Sequence, residues 1–359
     1  MLNQKLIEKS SIDLILKNQN PSGAYITSPT YREYQYCWFR DSSFIAYSML
    51  LNGEVDSCKA YLEWGDRAIC AQSQSILNLI KKKEQNLTIE VKELLPSRYM
   101  PDGTPHSDDW PGSQIDGYGT WLWCLGEYAS RTGDHRGITG MEESIRLIVK
   151  YLSTFWNQPC YDCWEENPLG VHPSTLACVA GGLKKINNVL AEKEINDLVE
   201  NILMFIMESS KPVGWIPKTI GSSEVDSSIL LISTLFRLLP MDNPLYLSTV
   251  TKIEADLVSD GTGGVKRFKT DSYYGGGEWI FCSALLALHY FYTGKKEKAI
   301  ELLDWIEQQF DEKNLLPEQV CNSVNDPSRI SYWVEKWGPQ QSPDLWAHSM
   351  YLILRREVS

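Results

Sequence analysis

The chain has 359 residues, 43% of them hydrophobic and 22% charged, the proportions of a globular protein with a large core. Its formal charge of −12 repels phosphate backbones, so nucleic acid is not an expected partner, while a neutral small molecule is unaffected. No run of 18 apolar residues is present to cross a membrane, and the N-terminal MLNQKLIEKSSIDLILKNQ lacks the apolar core and cleavage site of a secretory leader. Strand signals are poor, whereas apolar periodicity predicts twelve helical windows. They are 3–18, 40–53, 55–72, 115–131, 141–156, 173–190, 192–209, 225–238, 245–258, 276–293, 295–311 and 343–356. No Pro/Gly/Ser linker divides the chain, so residues 1–359 are expected to form a single domain. The wetter stretches 73–114 and 312–342 read as long loops.

The windows alternate in character. The fourth (Ile115, Tyr118, Trp121, Leu122), the sixth (Leu176, Val179, Leu183) and the tenth (Ile280, Phe281, Leu285) are apolar nearly all round, as buried helices are. The seventh sets Ile195, Leu198, Val199, Ile202 and Phe205 against Glu194, Asp197 and Glu200. The eleventh sets Ala299, Leu302, Leu303 and Ile306 against Lys298 and Glu301. Odd windows read as outer helices and even windows as inner ones. Six such pairs without strands predict an all-α, (α/α)6 barrel. Parallel inner helices would bring their N-termini to one rim, where the unusual segments lie: 36–41, 114–117, 164–166, 273–279 and 315–320. The third and sixth pairs of a ring of six would face each other, and with them Glu165 and Glu318.

Nine cysteines, an odd number scattered through a chain too long to need staples, point to reduced thiols in a cytoplasm. Cys160 and Cys163 form one CxxC with no second ligand pair at metal spacing, so two buried thiols are expected there and no metal or other cofactor. Thirteen tryptophans and 18 tyrosines suit stacking on sugar faces, and equally a large aromatic core.

Glycosidic hydrolysis needs two carboxyl groups, one protonated to aid the leaving oxygen and one acting as base or nucleophile. Glu165 and Glu318 are the candidates. The indole of Trp164 and the charge of Glu166 would both favour a protonated Glu165. Solvated loop glutamates are the ordinary alternative.

Six ordered motifs extend this reading: YCWFRD at 36–41, QIDGYG at 114–119, WEE at 164–166, GGVKRF at 263–268, YYGGGEW at 273–279 and LLPEQV at 315–320. Across them, from Ser22 to His348, the chain resembles glycoside hydrolase family 15, the glucoamylase and glucodextranase family. The resemblance implies an (α/α)6 barrel, Glu165 as general acid and Glu318 as the general base that activates water. It also implies sugar contact by Glu166 and binding of the non-reducing glucose by Arg40 and Asp41. Further candidates at the sugar are Tyr36, Trp164, Asp116 and Trp38, the last equally a core residue. Trp110 and Trp279 are candidates for stacking at the mouth. Lys266 and Arg267 are either hydroxyl contacts or a solvated charge pair. His172 and His348 are expected to donate to loop carbonyls.

Many members of that family carry an N-terminal β-sandwich, a secretion signal or a starch-binding module, none of which is evident here. The chain is therefore more similar to short members acting on small glucosides such as isomaltose. The expected activity is that of an exo-acting, inverting α-glucosidase on isomaltose- or maltose-type oligosaccharides. A trehalase is the nearest alternative, and a catalytically silent sugar-sensing domain is the alternative outside the enzymes. The paired carboxylates favour an enzyme. Linkage preference and oligomeric state are not legible in the sequence.

Overall fold

The computed structural model describes residues 2–106, 112–261 and 263–358. Along the chain the helices are α1 Leu2–Asn18, α2 Phe39–Leu51, α3 Val55–Ala71, α4 Ser73–Glu84, α5 Asp116–Thr132, α6 His135–Gly140, α7 Glu142–Phe155, α8 Pro173–Leu190 and α9 Lys193–Ser210. They continue as α10 Leu231–Thr234, α11 Pro244–Leu257, α12 Ile280–Tyr292, α13 Lys296–Glu307, α14 Ser328–Trp337 and α15 Leu345–Val358. Four two-residue strands accompany them: β1 Cys37–Trp38 pairs with β2 Arg98–Tyr99, and β3 Glu278–Trp279 pairs with β4 Gln319–Val320, both antiparallel. The chain divides into two compact units.

One unit comprises residues 19–26 and 36–208. Its helices α2 and α5 are buried on nearly every side, while α7 buries only Ser144, Ile145, Ile148, Tyr151, Leu152 and Phe155, a stripe at helical spacing. Helices α5 and α8 touch backbone to backbone: a Cβ on Gly182 would lie 2.1 Å from the Gly119 oxygen. Much of the aromatic content is core. Trp64, Trp121 and Trp123 are buried, and Phe39 packs its ring 5.3 Å from Trp64 and 5.0 Å from Tyr118.

The other unit comprises residues 1–18, 27–35 and 209–359. Here α12 is the buried helix, and α13 faces it with Ala299, Leu302, Leu303, Trp305 and Ile306. Helix α1 packs on α15, where the Arg355 Nε donates to Glu8 at 2.8 Å. Asn243 caps α11 by accepting from the N–H groups of Leu245 and Tyr246, with Pro244 following at the first helical position.

Three expectations are corrected. The stretch 73–114 is not all loop: Ile76, Leu79 and Ile80 give α4 a short apolar stripe in an otherwise polar segment. The stretch 312–342 holds α14. The window 225–238 is a 3₁₀ turn, Ser227–Leu230, followed by the single turn α10. Every residue of both is buried, and its Ser, Thr and Ile are weak helix formers, so tertiary burial rather than periodicity shapes it.

His348 on α15 is fully buried, and its Nε2 accepts the Leu316 N–H at 3.0 Å while Nδ1 meets the Ser11 hydroxyl at 2.9 Å. This reverses the expected role: the ring accepts from backbone rather than donating to a loop carbonyl. His172 does meet two loop carbonyls, those of Cys160 at 3.1 Å and Asn167 at 3.0 Å. Burial pushes His348 down to about 3, against a small opposing pull from Asp311. The folded chain therefore binds fewer protons here than the unfolded one. Stability from this group is complete above about pH 6.5 and lost as pH falls towards 3, at roughly 1.4 kcal/mol per unit of depression. The urea midpoint should fall across that window, and His348→Gln, which keeps an acceptor for Leu316, should flatten the slope. An unchanged slope in the variant would refute the assignment.

Candidate active site

In the first unit the WEE segment is a tight loop built around Asp162. Its Oδ1 accepts from the N–H groups of Trp164 at 3.0 Å and Glu166 at 2.9 Å, and its backbone oxygen accepts from Glu165 N–H at 3.0 Å. Glu165 is held at φ +64°, a left-handed conformation that costs an L-residue roughly 1–2 kcal/mol. The surrounding bonds impose that turn and bring the carboxyl to Trp38, whose indole N–H donates to Glu165 Oε1 at 2.8 Å. Glu165 and Glu166 are half-buried and Trp164 is buried.

Trp38 is placed by the β1–β2 pairing, which sets it opposite Arg98. The Arg98 guanidinium lies 4.4 Å from the Tyr36 ring centre and 5.6 Å from the Trp38 ring centre, so a buried cation stacks on both aromatic walls. Arg40, the second residue of α2, is buried. Its Nε donates to Asp41 at 3.0 Å, and its NH1 donates to Gln114 and Asp116, each at 3.2 Å. Burial lowers the Arg40 pKa, but the carboxylates of Asp41 and Asp116 outweigh it and the guanidinium stays charged. Gly117 makes the approach of α5 to α2 workable, since a Cβ there would lie 3.0 Å from Phe39 Cβ. Trp110 lies outside the described residues.

In the second unit Glu318 is 8% exposed. Its N–H donates to the Gln341 carbonyl at 3.2 Å, and its own carbonyl accepts from Ile280 N–H at 3.3 Å. Two residues earlier, Leu316 is tied through its N–H to His348 and through its carbonyl to the Asp344 N–H at 2.9 Å. The carboxyl-bearing segment thus has a fixed register. Tyrosines crowd it. Burial raises the phenol pKa values of Tyr31 and Tyr273, and the charge of Glu318 raises both further. Tyr34 and Tyr273 bring their hydroxyls to 3.3 Å. Tyr274 is also in a left-handed conformation, at φ +47°.

Arg267 and Lys266 do not form a solvated charge pair. Arg267 is buried in a two-pronged pair with Asp271, its Nε donating at 2.7 Å, and its guanidinium lies 4.8 Å from the Trp279 ring centre. Lys266 instead donates to Asn325 at 3.1 Å. The aromatic residue Trp279 is buried. Sequence reasoning missed Tyr31, Tyr34, Tyr273, Tyr274, Arg98 and Asp271. The YREY run before the YCWFRD motif signalled the first two, and the i,i+4 spacing of Arg267 and Asp271 signalled the last. Nothing local marked Arg98.

A family model described as glycosyl hydrolases family 15 matches residues 3–319. The isomaltose glucohydrolase of Kribbella flavida is 34% identical over 359 residues, covering 98% of this chain and 92% of that protein. Trehalase 1 of Sulfolobus acidocaldarius is 25% identical over 337 residues, covering 91% of this chain but 56% of that protein. Among solved structures, a glycosidase variant in complex with glucose matches with a TM-score of 0.93 and 34% identity, over 98% of this chain and 96% of that one. The fold class is all-α, of the (α/α)6 type expected from the helix pattern.

Proposed function

The chain belongs to glycosyl hydrolases family 15 and is a glycoside hydrolase, and from that premise we propose that it is an exo-acting, inverting α-glucosidase. It would release β-glucose from the non-reducing end of short α-glucosides of isomaltose or maltose type. The observation that carries this reading is 34% identity to an isomaltose glucohydrolase along 98% of the chain. The glucose held by the similar glycosidase variant agrees with it.

Glu165 is the general acid. With Oε1 accepting the Trp38 N–H, the catalytic proton belongs on Oε2, which sets the direction of donation. Glu318 is the general base, and its tethered backbone fixes where water is activated. Arg40 and Asp41 bind the glycone hydroxyls, and buried Asp116 acts by holding Arg40 in place. Glu166, Tyr36, Trp38 and Trp164 complete the sugar contacts made by this unit. In the unit that holds Glu318, Lys266 is a further candidate for a hydroxyl contact, while Arg267 and Trp279 are buried against each other. None of the nine cysteines is in a disulfide, which supports a reducing compartment such as the cytoplasm. No described helix is long and apolar enough to cross a membrane.

A substrate panel tests the reading. The kcat/KM for isomaltose or maltose should exceed that for trehalose by at least about tenfold, the scale on which pocket contacts separate similar ligands. Preference for trehalose would sink it.

A further inference from the structure

Helix α14 lies within a segment whose sequence reads as loop, and none of its residues is buried. It nevertheless carries Tyr332, Trp333 and Trp337. Within its unit it is fastened to the turn at 271–277. Trp333 Nε1 donates to the Ser272 carbonyl at 2.8 Å, Asp326 N–H donates to Gly275 O at 2.9 Å, and the Tyr274 hydroxyl donates to Gly338 O at 2.9 Å. The Trp333 ring sits edge-on to Tyr273, centres 5.0 Å apart. Tyr273 and Tyr274 are the phenols that feel the charge of Glu318. An accessible aromatic row therefore continues outward from the base-bearing segment. Lys336 lies over it, 5.0 Å from the Trp333 ring, 5.1 Å from Trp337 and 5.8 Å from Tyr332.

A helix kept only for packing would bury its large aromatic residues. This one leaves Tyr332 43% exposed and Trp333 and Trp337 half-exposed. Sugar rings present C–H faces that lie against aromatic faces and hydroxyls that suit a charged rim. An exo-acting site encloses the glucose it removes, so surfaces open to solvent can meet only the part of the substrate that leaves. Building on the hydrolase reading above, we propose that the Tyr332–Trp333–Trp337 face of α14, with Lys336, binds the leaving-group sugar and selects short oligosaccharides.

The test compares isomaltose with α-glucosyl fluoride, which has the same glycone but no leaving sugar. Trp333→Ala should lower kcat/KM for isomaltose by roughly ten- to a hundredfold and leave the fluoride within about twofold. Trp333→Phe, which keeps a ring but loses the N–H to Ser272, should retain most of the isomaltose activity. Equal losses on both compounds would show that Trp333 acts through Tyr273 and the base, and would overturn the proposal. So would unchanged activity on both. A parent chain that cleaves neither compound would overturn the hydrolase reading and the platform with it.

Discussion

Glu318→Ala is expected to reduce kcat on isomaltose by roughly 10²–10⁴-fold, the usual contribution of a positioned acid or base. The substitution removes the group that takes a proton from the attacking water. It leaves intact the backbone ties at Leu316 and Glu318, which run through main-chain atoms and His348. The fold should therefore survive, and the defect should lie in kcat rather than KM. It also opens space at an 8% exposed position. Azide, a nucleophile that needs no base, should enter and restore part of the turnover, yielding β-glucosyl azide. The check is product identification by NMR with and without azide. Full activity in the variant, or a rescued product of α configuration, would contradict the assignment.

Glu165→Gln should give a loss of similar size on sugar leaving groups, because an alkoxide leaves poorly without a proton. The amide keeps an oxygen to accept the Trp38 N–H, so the loop built on Asp162 should stay in place and the change isolates the proton itself. A leaving group that needs no proton is the discriminating probe. Hydrolysis of α-glucosyl fluoride should stay within about tenfold of the parent rate while isomaltose activity collapses. Comparable losses on both would mean that Glu165 positions substrate and is not the acid.

The long elements of the fold were legible because burial writes a period into the sequence. The stripe Ile195, Val199, Ile202 and Ile206 on α9 and the all-round apolar α12 both reveal which sides are covered. The failures have physical reasons. Helix α4 carries only a short apolar stripe among lysines and glutamines, and α14 is ten residues long and buries none of them, so both pass for wet loop. The window 225–238 is rich in Leu and Ile, which signals burial but not the 3₁₀ turn that it adopts.

The candidate site divides in the same way. Glu165, Glu318 and the Arg40–Asp41 pair stood out because their motifs are local in sequence. The hydrogen bond from Trp38 to Glu165 spans 127 positions, and the cation Arg98 reaches Tyr36 and Trp38 only through the β1–β2 pairing. Such contacts depend on chain topology, which single-residue patterns do not encode. The left-handed backbone at Glu165 and Tyr274 was likewise unforeseen, because neither residue type favours it and only the surrounding bonds impose it.

The most direct test of the central claim is the anomeric configuration of the first product. An inverting site places water between base and anomeric carbon, so one displacement converts an α-glucoside into β-glucose; a retaining site passes through a glycosyl-enzyme and returns the α form. Isomaltose hydrolysis should be followed by proton NMR with enough enzyme to finish before mutarotation. The account predicts that the β-anomer signal of the released non-reducing glucose appears first and the α signal grows only as the anomers equilibrate. Initial release of α-glucose from that unit would contradict the assignment of Glu165 as acid and Glu318 as base.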